Sequence, residues 1–263
     1  MKEKKKTIWG KYELKPESTF QFAAGEQTVS LKRLPNGWMF YNEKKEELID
    51  ELRFSFDQPF QSNGNESIFQ TGRSDIFYFA PALPSKPVVL RNNKSIKISP
   101  HHSIKFYLAV PLNIQFYYSQ LDEEHFMTEF ALKSLSDTWF GETDSGEPAF
   151  AIGNRSSLFS EKLEVQPYEI LCPVKINNQS HHQLELERLL IRVENLAIYI
   201  KNGQLISNQL HIDFKGTDQV SNLHFSTDKT IHGENPQQVA KARGLTTKTI
   251  LGKSFHFIKN FTQ

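Results

Sequence analysis

Apolar residues recur at every second position through most of the chain, and this period of two predicts strands rather than helices. Phe20 and Phe22 alternate with polar neighbours, as do Trp38 and Phe40, and Leu52, Phe54 and Phe56. Cys172, Val174 and Ile176 repeat the pattern, followed by Leu184 and Leu186, by Leu196, Ile198 and Ile200, by Leu210, Ile212 and Phe214, and by Leu223 and Phe225. Extended segments of this kind bury one surface and wet the other, so the expected fold is mainly β: two β-sandwich-like lobes of antiparallel strands with a short helical or mixed C-terminal tail. The expected core holds Trp38, Phe54, Phe77, Phe79, Leu108, Ile114, Trp139, Val174, Ile191, Val193, Ile198 and Leu210.

Turn chemistry divides these runs. Asn36-Gly37 and Asn202-Gly203 suit type I′ hairpins, whose two central residues both need positive φ. The polar run from Glu43 to Leu52 reads as a loop or strand extension rather than a helix. The three prolines between Ala80 and Pro87 exclude a central strand there. An acidic patch at Asp122–Glu124 marks a boundary between an N-terminal β lobe, 1–120, and a C-terminal β-sandwich lobe, 121–263. Asn235-Pro236 predicts a helix start in the tail, and Gly244 a stop.

The balance of 31 basic against 30 acidic residues gives a net charge of +1 and no whole-protein attraction for polyanions. The distribution matters more. Residues 229–263 carry six Lys and Arg against a single Glu, so weak contact between this basic tail and an anionic membrane surface is one expectation. Nucleic-acid binding is not expected, although Ala240, Gly244, Leu245 and Ile250 imitate helix-turn-helix spacing. No stretch approaches the roughly 18 apolar residues of a transmembrane helix, and the N-terminus lacks the apolar core of a signal peptide. Cys172 is the one cysteine, which fits a reducing compartment, and the expected location is cytoplasmic.

Two segments carry a resemblance. One is Leu135-Ser-Asp-Thr-Trp-Phe-Gly-Glu-Thr-Asp-Ser-Gly-Glu147. The other runs from Cys172-Pro-Val-Lys-Ile-Asn-Asn-Gln-Ser180 into Leu186–Tyr199. With Ala240-Lys-Ala-Arg243 and Lys253-Ser-Phe255, they resemble the bacterial and archaeal family catalogued as domain of unknown function 432. Trp9-Gly-Lys-Tyr-Glu13 matches it more loosely. The resemblance implies a prokaryotic β-rich protein and brings no catalytic residues with it.

Motifs for chemistry are sparse. There is no Gly-x-Ser-x-Gly elbow, no Gly-x-Gly-x-x-Gly and no Walker-type loop. Glu142, Asp144 and Glu147 offer carboxylates for acid–base work, but clustered acids in a polar loop are usually solvated. His101-His102 and His181-His182 are adjacent pairs, whose side chains on a strand point to opposite faces. His211 and Asp213 share one face. Neither pattern reaches a zinc ligand set, so neither metal nor cofactor is expected. Thr138-Trp-Phe-Gly141 is the most unusual local feature. Trp139, Phe140 and Glu142, joined by Arg155 as a carboxylate-binding fork, form the candidate ligand-binding surface. The leading expectation is a non-catalytic binding protein acting on a protein partner or on a second copy of itself. A carbohydrate- or small-ligand-handling β-sandwich, with or without enzymatic activity, is the alternative, and it needs a pocket joining Trp139, Glu142 and Arg155.

Overall fold

The alternation becomes strand almost throughout a computed structural model that describes residues 8–120, 123–144, 146–216 and 222–243. The fold is mainly β. In chain order the strands are β1 (Gly10–Glu13), β2 (Thr19–Leu34), β3 (Gly37–Phe56), β4 (Ser67–Gln70), β5 (Ile76–Ala82), β6 (Val88–Ile98), β7 (Ser103–Pro111), β8 (Asn113–Gln120), β9 (Glu123–Ala131) and β10 (Ser136–Phe140). They continue with β11 (Glu147–Gly153), β12 (Ser156–Ser157), β13 (Glu169–Asn178), β14 (Leu184–Ile191), β15 (Ile198–Lys201), β16 (Gln204–Ser207), β17 (Gln209–Phe214) and β18 (Asn222–Ser226). A single-turn helix α1 (Lys229–His232) precedes β19 (Gln237–Ala240).

The chain forms two units, and neither is a continuous segment. The first takes residues up to 82, then 111–134 and 166–168, and the second takes 83–110, 135–165 and 169 onward. This grouping differs from a cut near residue 120. β6 and β7 belong to the second unit because their hydrogen-bonding neighbours, β11, β14 and β13, arrive later in the sequence.

The first unit holds the sheets β1-β5-β8-β9 and β2-β3-β4. Aromatic side chains pack between them. Phe20 lies 4.8 Å from Phe77, Trp38 lies 5.9 Å from Phe77, and Phe40 lies 5.2 Å from Phe116. Such ring pairs, edge-on and tilted, contribute beyond their buried area. Arg33 is buried beside them, pairing with Asp75 at 2.9 Å and donating to the Gly37 carbonyl at 2.9 Å.

The second unit holds the sheet β10-β11-β6-β14 and a larger sheet built on β12-β7-β13-β16-β15-β19, with β17 and β18 attached through β13. It is not purely antiparallel. β11 pairs with β6 in parallel, and β13 pairs in parallel with β16 and then with β17. β13 is buried at eight of its ten positions, as expected of a strand covered on both faces.

Two expected core residues lie at the surface. Phe54 is 41% exposed; β4 covers only the Gly37–Phe40 end of β3, and the far end of that long strand is paired with β2 alone. Trp139 is 46% exposed, and its neighbour Phe140 points inward in its place. The remaining expected core positions are buried.

The two Asn-Gly hairpins separate. Asn202 and Gly203 have φ of 51° and 82° and link β15 to β16, as expected of a type I′ turn. At the other site β2 ends at Leu34 and β3 begins at Gly37, so the turn is Pro35-Asn36 and needs no positive φ. Gly37 serves another purpose: a Cβ there would lie 2.1 Å from the Phe69 carbonyl oxygen on β4. The helix expected after Asn235 is also replaced. Asn235 has φ of 51°, outside the extended conformation of an N-cap, and the chain continues into β19 against β15. Asp228 caps the real helical turn, accepting from Thr230 N at 2.8 Å. Gly244, Leu245 and Ile250, and most of the basic tail, lie outside the described residues.

Candidate functional site

The β10–β11 hairpin carries three of the four candidate residues. Along β10, successive side chains turn to opposite faces. Phe140 therefore enters a buried cluster with Val89, Ala149 and Leu190, while Trp139 faces outward. The indole is not loose. Its Nε1–H donates to the Glu142 carbonyl at 2.9 Å, and the same oxygen accepts the Gly146 N–H at 2.7 Å. Gly146 makes room for this arrangement, since a Cβ there would stand 2.2 Å from Trp139 Nε1. The hairpin thus holds a large aromatic surface in one orientation. The Glu142 side chain is exposed at the turn.

Two arginines from the far edge of the sheet complete this region. Arg188 on β14 places its guanidinium 5.4 Å from the centre of the Phe140 ring and donates from Nη2 to the Trp139 carbonyl at 3.0 Å. Arg192, just beyond β14, bonds through Nη2 to Glu147 and stands 3.5 Å from Glu194 through Nη1. Glu147 is therefore held in an ion pair with Arg192. Glu194 has a buried Oε2 without a hydrogen-bond partner. Burial pushes its carboxyl above the ordinary range, against the opposing pull of its own backbone N–H and of Arg192.

Arg155 does not join this site. It lies between β11 and β12, where Nη2 bonds the carboxylate of buried Glu169 at the start of β13 and the Glu164 carbonyl at 2.9 Å. Its backbone carbonyl accepts from Ala109 N on β7. The guanidinium is engaged by a carboxylate and a carbonyl of its own chain, and these contacts are separate from those of Trp139 and Glu142. Arg188 takes the place expected for Arg155. The sequence held a signal for this, because Arg188 and Arg192 flank the apolar run Leu189–Ile191. Only the folded contacts of Arg188 show that β14 reaches the hairpin.

The family described as Protein of unknown function (DUF432) matches residues 8–259 of the 263. The chain belongs to that family. The match to DUF432 takes in both units, including the N-terminal strands that resemble it only loosely by eye. No curated protein and no solved structure matches the chain.

Other candidate chemistry is distributed rather than gathered. Among the described residues of this DUF432 member, no three His, Cys, Asp or Glu side chains converge to hold a metal ion. Cys172 is fully buried, and burial pushes its thiol up to about 12, far from the reactive range of a nucleophile. No helix among the described residues is long and apolar enough to cross a membrane. Of the tail cations, Arg243 is engaged with the fold: its N–H bonds the Glu194 carbonyl at 3.0 Å and its Nε bonds the Leu83 carbonyl at 2.6 Å.

Proposed function

We propose that this protein is a non-catalytic binding protein, and that the β10–β11 hairpin presents its recognition surface to a protein partner or to a second copy of the chain. The observation that carries the reading is Trp139. A tryptophan 46% exposed, yet locked by its own indole N–H to the Glu142 carbonyl, has surrendered conformational freedom without gaining burial. That is the economy of a preorganised anchor, because the ordering cost of binding is already met in the free state. Arg188 braces the same strand, donating to the Trp139 carbonyl and packing over the Phe140 ring. The single, buried cysteine supports a reducing, cytoplasmic setting for this interaction.

The test compares wild-type chain with Trp139→Ala, using quantitative cross-linking in lysate of the native host and sedimentation of the purified protein. An anchor of this kind contributes about 2 kcal/mol or more, so Trp139→Ala is expected to weaken the captured complex or the self-association by roughly 30-fold. A wild-type protein that stays monomeric and captures nothing that Trp139→Ala loses would overturn the reading.

A further inference from the structure

On a strand, the adjacent side chains of each His-His pair would diverge. The fold pairs them across loops instead. His101 lies in the turn between β6 and β7, and His181 in the turn between β13 and β14. Their rings stand 5.2 Å apart, centre to centre, at 76°. All four histidines of these turns are exposed to solvent.

The approach is built rather than incidental. Asn178, 1% exposed, ties the two turns together. Its Nδ2 donates to the Ile98 carbonyl at 2.9 Å and the Ser99 carbonyl at 3.2 Å on one side, and to the His182 carbonyl at 2.8 Å on the other. Its Oδ1 accepts the Ser180 hydroxyl at 2.7 Å and the Ser180 N–H at 3.1 Å, and its own N–H donates to the His102 carbonyl at 2.9 Å. His101 itself sits at φ of 60°, a conformation that costs a non-glycine residue free energy and tends to be kept where position matters.

A ligating imidazole nitrogen stands about 2.1 Å from its ion, which sets two imidazole centres on one ion roughly 5 Å apart. The observed separation meets that spacing. The second close pair among the described residues does not provide the geometry. His211 and His224 stack nearly parallel at 14°, so their in-plane lone pairs cannot converge, and His211 Nε2 is engaged with the Ser226 hydroxyl at 2.7 Å.

We propose that His101 and His181 form a binding site for a divalent late first-row transition ion, held by two imidazoles with water completing the coordination shell. Imidazole suits copper, nickel and zinc, and affinity within that series peaks at Cu²⁺. With two protein ligands the site is open, which leaves coordination positions for an exogenous donor. The proposal is independent of the Trp139 surface.

The probe is Cu²⁺, titrated to about 100 µM into the tag-free full-length chain and followed by calorimetry and electron paramagnetic resonance. The expected result is one ion per chain with nitrogen hyperfine structure from two imidazoles. Loss of a supporting residue alone costs metal sites about 10–100-fold in affinity, so His101→Asn and His181→Gln, which remove ligands, are each expected to weaken binding at least about tenfold. Asn is chosen at position 101 because it tolerates positive φ. His211→Gln is expected to leave binding unchanged. Unaltered unfolding curves for the variants separate lost ligation from lost fold. Absence of bound Cu²⁺, binding that survives both ligand substitutions, or binding that follows His211→Gln instead would each overturn the proposal.

Discussion

Cys172 illustrates how a residue's chemistry is set by where packing puts it. Flanked by Leu171 and Pro173 on β13, it is wholly buried, and burial outweighs the Ser207 hydrogen bond that favours the thiolate. Its thiol is pushed from 9.0 to about 12. Below the ordinary value both folded and unfolded chains keep this proton, and its contribution to stability is fully present. As pH rises from about 9 towards 12, the unfolded chain releases a proton that the native chain retains, so stability falls. Urea unfolding midpoints measured from about pH 8 to pH 11 are expected to fall more steeply for wild type than for Cys172→Ala. Equal slopes would show that the thiol ionises without unfolding. The buried position of Cys172 was legible from its apolar surroundings. Arg33 was not. Nothing local marks that arginine for burial, and only Asp75 and the Gly37 carbonyl, meeting it inside the first unit, make its burial tolerable.

Among the elements, protection from exchange should follow how each strand is flanked. β13 has hydrogen-bonded strands on both sides and buried side chains along nearly its whole length. β19 is a four-residue edge strand without a fully buried side chain, joined to β15 through an irregular register. Native-state hydrogen exchange is therefore expected to leave amides of Ile170–Ile176 among the slowest in the protein and those of Gln237–Ala240 among the fastest within strands. Comparable rates in the two strands would contradict this account. β19 also shows where local signals mislead. Asn235-Pro236 has the composition of a helix start, but a strand edge at β15 offered the backbone a ladder, and tertiary pairing overrode a weak local preference. The Asn-Gly pairs make the same point from both sides. At Asn202-Gly203 the turn itself demands positive φ. At Asn36-Gly37 the glycine answers to β4, thirty residues away in sequence, and its turn is built by Pro35.

For the whole molecule, the consequential fact is that the chain passes between its two units five times. A fragment ending at residue 120 would contain β6 and β7 without β11, β13 and β14, and β8 without β9. It is expected to remain insoluble or to unfold without a cooperative transition, whereas the intact chain unfolds cooperatively. A soluble 1–120 fragment with native-like near-ultraviolet dichroism would show that the sheets assemble from local neighbours after all. Non-local pairing of this kind delays the reward for loop closure, so slow folding is the corresponding kinetic expectation.

Period-two alternation was enough to establish a mainly β fold and most of its buried positions, because side chains on an extended backbone must alternate whatever their neighbours are. Family membership was readable from short segments, and the alternation of Trp139 with Phe140 was readable from their adjacency. Which of the two turned inward was settled by the Val89–Ala149–Leu190 surface that received Phe140. The parallel pairings of β13, the discontinuous units and the meeting of His101 with His181 were all decided by strand order. Strand order depends on which distant edges find one another, and a one-dimensional pattern with the same period in every strand carries no label for the partner.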